Sequence, residues 1–297
     1  MKEIRPDAAL FASMAYWWNP TVVIEAAGEG HNDPLMALLM LLTIWCTMRR
    51  RFMAGALALT AGALIKYVPV LFAPALAVYQ WRSTADRRLL ASKMIATTAC
   101  CVVITAVAFV PFWAGWSTFD GVQESARLKF TSGTSGVMFW GMSQLVGSMS
   151  ATYLTRIVLG AALAILVLHA SWAVRDDQTL LAACATISMF YVLVVTPRFW
   201  PWYVMLPTAL LCASARRPDI AVAFALTACA RAVAPLDVIR FSNAISWPVQ
   251  VWATTIVGVW VPALFWIAVS CVSVRRASVA PEPRRRARRW FSDEVTG

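Results

Sequence analysis

Three carboxylates and a histidine lie within nine residues of this chain, in the stretch Glu25-Ala-Ala-Gly-Glu29-Gly-His31-Asn32-Asp33. The stretch separates two apolar segments, where an ionisable group is costly unless it is paired or takes part in function. A carboxylate or an imidazole can accept or donate a proton during a reaction. The stretch is therefore the first candidate for a catalytic or binding site.

The composition indicates that these residues belong to a membrane protein. Of the 297 residues, 60% are hydrophobic and only 14% are charged, whereas soluble domains carry roughly 25% charged residues. The mean hydropathy is +0.65. We expect one integral membrane domain over residues 1–274, followed by a basic, disordered cytoplasmic tail over residues 275–297.

The apolar runs predict an all-α fold, namely a polytopic transmembrane helical bundle with about ten membrane segments, some of them short or re-entrant. Basic connections between the segments alternate with poorly basic ones, which indicates a multi-pass protein of the inner or plasma membrane. This orientation places residues 25–33 on the extracytoplasmic side. The predicted segments are residues 8–27, 34–48, 53–66, 68–81, 93–113, 153–174, 179–196, 202–215, 219–236 and 248–273.

Seven of the 26 Lys and Arg residues are not explained by this topology and are candidates for binding an anion. Lys66 is predicted at the tip of a short hairpin, because Pro69 lacks an amide donor and disfavours helix in the residue before it. The alternative is that the Lys66 side chain simply extends to the outer lipid headgroups. The seven residues are Lys66, Arg127, Lys129, Arg156, Arg198, Arg231 and Arg240.

The outer segment from Ala114 to Ser150 contains the polar run Thr131-Ser-Gly-Thr-Ser-Gly136. We expect an outer loop with a re-entrant or interfacial helix over residues 137–146, which covers the site and becomes ordered when ligand binds. An inert loop on the surface is the alternative.

The remaining cysteine, histidine and arginine residues give no prediction of a site. The seven cysteines fall in apolar spans at no metal-like spacing, so we interpret them as small core residues. His169 lies in an apolar span and is assigned no role. No cofactor is assigned, although carboxylate oxygens suit Mg²⁺ or Mn²⁺. The arginines of residues 284–289 are expected to contact anionic membrane lipids, not nucleic acid.

Four elements occur in a specific order: Trp18-Asn19-Pro20, then Glu25 with Gly28-Glu-Gly-His-Asn-Asp33, then Leu64-Ile-Lys-Tyr-Val-Pro69, and finally Pro201-Trp-Tyr203 with Pro207. Over roughly residues 5–207 the chain resembles bacterial GT-C glycosyltransferases, most closely the polyprenol-phosphomannose-dependent mannosyltransferases. The resemblance implies a GT-C-like fold and transfer of a sugar, mannose in those relatives, from a polyprenyl-phosphate donor. The acceptor would be a glycan or glycolipid at the extracytoplasmic face.

Displacing a polyprenyl phosphate from an anomeric carbon needs a base for the incoming hydroxyl and cations for the phosphate. We assign catalysis to Asp33, Glu29 and His31, with Asp33 as the leading base or acceptor ligand. The alternative for Asp33 is a helix N-cap, and for His31 an interfacial histidine paired with Glu29. The predicted substrate-binding residues are Glu25, Asn32, Lys66, Tyr67, Arg127, Lys129, Arg198, Trp202 and Tyr203.

Arg198 is the second candidate for the phosphate, because a guanidinium binds phosphate through two hydrogen bonds. The aromatic residues that follow, Trp202 and Tyr203, can stack on a sugar, although an interfacial aromatic belt would give the same residues.

The chain departs from the family pattern at its start. GT-C enzymes generally carry an essential acidic residue in a first outer loop, before the Asn-Pro and His-Asn-Asp elements. Here the Asn19-Pro20 helix follows almost directly after Met1. We expect the missing segment to reflect a misassigned start, a truncated gene or a partner that supplies it. The alternatives to an active transferase are an inactive truncated homologue and a transporter or flippase for a lipid-linked or anionic substrate.

Overall fold

A computed structural model describes residues 8–121, 130–241 and 247–279. All regular elements in these ranges are helical, which confirms the all-α prediction. Within the described ranges, five helices are long and apolar enough to cross a membrane, as expected for a polytopic membrane protein. They span Arg87–Phe112, Ser148–Ala173, Asp177–Val195, Arg217–Leu236 and Val249–Val272, and three shorter apolar helices accompany them.

The α-helices are numbered here in chain order. They are α1 (Ala9–Trp17), α2 (Pro20–Val23), α3 (Asp33–Met48), α4 (Phe52–Ile65), α5 (Ala73–Ser83), α6 (Arg87–Phe109), α7 (Gly133–Val146), α8 (Ser148–Ala173), α9 (Asp177–Phe190), α10 (Met205–Ala213), α11 (Arg217–Phe241), α12 (Trp247–Ala253) and α13 (Val261–Val279). Wider π-helical turns occupy Ile24–Gly28, Tyr191–Val195 and Thr254–Trp260. Tighter 3₁₀ turns occupy Val68–Phe72, Val110–Phe112, Ser117–Phe119 and Pro201–Val204.

The first predicted segment, residues 8–27, is divided in two. Helix α1 ends at Trp17 and α2 begins at Pro20, with Asn19 as its N-cap. The Asn19 side chain accepts a hydrogen bond from the Thr21 amide at 3.1 Å and donates one to Thr227 Oγ1 at 2.9 Å. Because proline has no amide donor and asparagine is a strong N-cap, the Asn-Pro pair starts a new helix. The break also fixes α2 to α11.

Helix α10 lies at the centre of the bundle and positions the site. All nine of its residues are buried, and it contacts α1, α3, α9 and α11. The 3₁₀ turn Pro201–Val204 leads directly into it. Side chains on that turn are therefore held by the best-packed helix of the described chain.

Two further regions are helix α6 and the end of helix α13. Helix α6 packs on α4, and none of its most hydrophobic 18 residues is buried by protein, as expected for a helix in contact with lipid. Helix α13 continues to Val279, past the predicted start of the tail at residue 275. The remainder of the predicted tail, residues 280–297, lies outside the described ranges.

Candidate active site

The stretch from Glu25 to Asp33 begins in a π-helical turn and ends in the first turn of α3. The His31 amide donates to the Glu25 carbonyl at 3.0 Å, and Gly30 has a φ of 72°, which a glycine adopts without strain. This tight connection buries Glu25 and Asp33, with exposures of 2% and 1%. A buried carboxylate requires a partner.

Asp33 is paired with Lys66. Lys66 Nζ lies 2.6 Å from Asp33 Oδ2, and the lysine side chain is 27% exposed. Helix α4 ends just before Lys66, whose backbone is extended, so the break predicted at this point is confirmed. The ammonium also lies 5.2 Å from the ring centroid of Tyr203, within the range of a cation–π contact. The two residues predicted to act on hydroxyl and phosphate are therefore in direct contact.

The N-cap alternative for Asp33 is wrong. Asn32 is the N-cap of α3 and Asp33 is its first residue. The Asp33 carboxylate is hydrogen-bonded to Lys66 and lies inside the protein.

Glu25 forms a second carboxylate–cation pair. Arg231 Nη1 on α11 lies 2.9 Å from Glu25 Oε1. His31 Nδ1 lies 3.3 Å from Glu25 Oε2, without the alignment of a hydrogen bond. His31 therefore faces Glu25 and not Glu29, contrary to the alternative pairing. Arg231 is one of the seven cations that the topology leaves unexplained, but the sequence does not predict it at the site, because Glu25 and Arg231 are 206 positions apart.

Aromatic rings connect this pair to Arg198. The His31 ring stacks on Trp202 with centroids 4.0 Å apart, and Trp202 stacks on Trp200 at 4.6 Å. The Arg198 guanidinium lies 3.8 Å from the Trp200 ring centroid on this stack. Trp202 thus stacks on two other rings, and its contact with a sugar stays a prediction. Tyr203 points to the other pair, beside Lys66.

A cavity of about 120 Å³ adjoins the Asp33–Lys66 pair. Tyr67 and Tyr191 share a hydrogen bond between their hydroxyls at 2.9 Å on its wall. Tyr191 was not predicted, because it lies in the interior of an apolar span. Its π-helical turn is one of the irregular turns that often occur at functional sites.

The structure brings together eight predicted residues: Glu25, His31, Asp33, Lys66, Tyr67, Arg198, Trp202 and Tyr203. Glu29 and Asn32 are exposed in the connecting loop. Arg127 and Lys129 lie outside the described residues. No group of three or more His, Cys, Asp or Glu side chains within residues 8–121, 130–241 and 247–279 could hold a metal ion.

Comparison with known proteins identifies a family for the chain. The family model for glycosyltransferase family 87 matches residues 2–197. The chain is 26% identical over 223 residues to alpha-(1->6)-mannopyranosyltransferase A of Mycobacterium tuberculosis. That match covers 69% of this chain but 42% of the relative, so the chain spans less than half of its length. No solved structure matches the chain.

Proposed function

Because the chain belongs to glycosyltransferase family 87, we propose that it transfers mannose from a polyprenyl-phosphate donor to a hydroxyl of a glycan or glycolipid acceptor. The reaction takes place at the extracytoplasmic face of the inner or plasma membrane. Mannose is supported by the name of the mycobacterial relative. The outer face is supported by the alternation of basic loops, which puts the Glu25–Asp33 stretch opposite the arginine-rich connections.

The observation that carries this proposal is the pairing of Asp33 with Lys66 at 2.6 Å beside a small cavity. In the reaction the acceptor oxygen bonds to the anomeric carbon, while the bond from that carbon to the phosphate oxygen breaks. The acceptor proton goes to a base and the phosphate leaves with its electron pair. One carboxylate and one ammonium at the same point supply both requirements.

When the donor binds, its phosphate replaces Asp33 as the partner of Lys66. The Lys66 side chain is 27% exposed and can be reached by a phosphate, whereas the Asp33 side chain is only 2% exposed. When the phosphate takes the ammonium, Asp33 becomes a carboxylate without its cation in an apolar wall. Asp33 is then free of its salt bridge and can accept the proton of the acceptor hydroxyl. The donor thereby activates the base that deprotonates the acceptor.

The isoprenoid chain of the donor can bind beside α4, the helix that ends just before Lys66. An apolar cavity of about 650 Å³ lies between α4 and α6, bounded by Leu59, Cys101, Phe109 and Trp113 among others. Leu59 lies seven residues before Lys66, which is about 10 Å along the axis of α4. A lipid tail in this cavity would present its phosphate near Lys66.

The second pair shapes the other side of the site. Arg231 neutralises Glu25, which in turn faces His31. His31 then contacts a hydroxyl of the sugar or the leaving phosphate, and Arg198 is a further cation for that phosphate. Binding of Mg²⁺ or Mn²⁺ at the carboxylates stays a prediction, tested by measuring transfer before and after EDTA.

The test is transfer of labelled mannose from polyprenyl phosphomannose in membranes that contain the chain. Asp33→Asn and Lys66→Ala should each slow transfer by at least about tenfold, since each removes a group that acts on the reacting atoms. Asp219→Asn and Lys93→Ala change the same residue types at the predicted cytoplasmic side and should leave the rate unchanged. Wild-type rates in both site variants, at normal expression, would contradict the assignment. Movement of donor lipid across vesicles without transfer would instead support a flippase.

A further inference from the structure

The run Thr131–Gly136 is bonded to the segment that carries Arg198. The sequence predicts this run to be part of a loop that covers the site. In the structure it forms the start of α7, and α7 packs against the π-helical turns Tyr191–Val195 and Thr254–Trp260.

Three hydrogen bonds join the run to residues 196–199. Ser132 Oγ accepts from the Phe199 amide at 3.0 Å. Ser135 Oγ donates to the Thr196 carbonyl at 2.5 Å, and the Thr131 amide donates to the Pro197 carbonyl at 2.9 Å. Three backbone polar groups of an irregular segment are thus bonded to an adjacent polar run.

These bonds lie inside the protein, where losing a partner is costly. Ser135 is 0% exposed and Phe199 is 2% exposed. Leaving a buried donor or acceptor unpaired costs about 1–3 kcal/mol. Gly136 allows the run to fold closely on itself, because a Cβ at this position would lie 3.3 Å from the Thr131 carbonyl carbon. A larger residue at position 136 could not form this contact without a shift of the backbone.

The fixed segment leads directly into the aromatic stack. Arg198 lies between Pro197 and Phe199, whose backbone groups the run holds, and its guanidinium covers Trp200. Trp200 in turn stacks on Trp202, which stacks on His31. The position of the guanidinium relative to the site therefore depends on the hydroxyls of a helix that contributes no predicted site residue of its own.

We propose that Ser132 and Ser135 are positioning residues, which hold the Arg198 guanidinium in place to bind the donor phosphate. The run holds residues 196–199 in a fixed position through the three hydrogen bonds, which we call the clamp. It is not the flexible part of a loop that closes over the site. This inference rests on the proposed function for the identity of the anion, a polyprenyl monophosphate. The clamp itself rests on the hydrogen bonds alone.

The clamp is tested by amide hydrogen exchange on the full chain in detergent. Ser132→Ala and Ser135→Ala should speed exchange of the amides of Thr196, Arg198, Phe199 and Trp200 by about tenfold, since each removes one anchoring bond. Exchange in α3 should not change. The control is Ser143→Ala, because the Ser143 hydroxyl bonds to the Trp140 carbonyl within α7. Unchanged exchange of residues 196–200 in both variants would overturn the clamp.

The link to Arg198 is tested by a double-mutant cycle on binding of farnesyl phosphate, a short polyprenyl monophosphate. Ser132→Ala and Arg198→Ala should each weaken binding, and Ser132→Ala should have no further effect once Arg198 is replaced. Additive effects, or no binding by the wild-type protein, would overturn the positioning role. A protein that shows the exchange effect and the coupling but transfers no mannose would count against the proposed function alone.

Discussion

Asp33 and Lys66 are 33 positions apart in the chain and share one short hydrogen bond. Each is poor at its proposed task while the pair is intact, because the carboxylate is neutralised by a cation and the ammonium is occupied. Removing one partner of such a pair leaves the other charge uncompensated, which is strongly unfavourable in a buried site. A ligand that replaces one partner therefore changes the chemistry of the other.

The stacking of Trp202 on His31 can be tested by the chemical reactivity of the histidine. The chain has two histidines, and His169 is exposed on α8. In a His169→Gln background, modification by diethyl pyrocarbonate reports on His31 alone. Trp202 covers one face of the imidazole at 4.0 Å, so Trp202→Leu should speed modification several-fold, whereas Trp202→Phe retains a ring and should not. Equal rates in the three proteins would show that the stack does not form.

At the scale of elements, the cap of α9 makes a prediction about stability. The Asp176 side chain accepts from the Thr179 amide at 2.9 Å, and the Thr179 hydroxyl bonds back in a capping box. Asp176→Ala should lower the free energy of unfolding by about 1 kcal/mol. Thermal unfolding in detergent measures this loss, with Asp86→Ala at the start of α6 as a second cap for comparison.

The effect of Asp176 should depend on pH. The hydrogen bonds from the Thr179 amide and hydroxyl lower the pKa of Asp176 below its usual value of 3.8. A lowered folded-state pKa stabilises the protein above the ordinary carboxyl range and loses that effect as the pH falls through the folded value. The difference between wild type and Asp176→Ala should therefore be constant near neutral pH and shrink below about pH 4. A constant difference down to pH 2 would contradict this origin.

Elements and site were predictable to different degrees. The helical spans followed from apolar runs, and the break at Lys66 followed from Pro69. The break at Asn19-Pro20 was missed, although a cap residue before proline is a known helix start. The contact between Glu25 and Arg231 could not be predicted, because it depends on how α11 packs against α2 over 206 positions. Local signals locate breaks and caps, whereas pairing across helices requires the packed structure.

For the whole molecule, the exposed apolar surface indicates that the protein is inserted in a membrane. Val103 lies in the middle of α6 and is 59% exposed. In water an exposed Val103→Lys would be harmless, but in a bilayer a lysine at mid-helix costs about 3 kcal/mol. We expect Val103→Lys to lower the amount of chain in the membrane fraction, while Val103→Leu leaves it unchanged. Equal levels of the two variants would argue that α6 is not in contact with lipid.

We propose that this membrane bundle is a mannosyltransferase in which Asp33 acts as the base that donor binding frees. The most direct measurement is the rate of mannose transfer from polyprenyl phosphomannose by Asp33→Asn, at donor concentrations that saturate binding. We predict a rate at least about tenfold below wild type even at saturation, because the loss lies in proton transfer and Lys66 remains to bind the phosphate. A wild-type rate for Asp33→Asn at saturating donor would show that Asp33 is not the base.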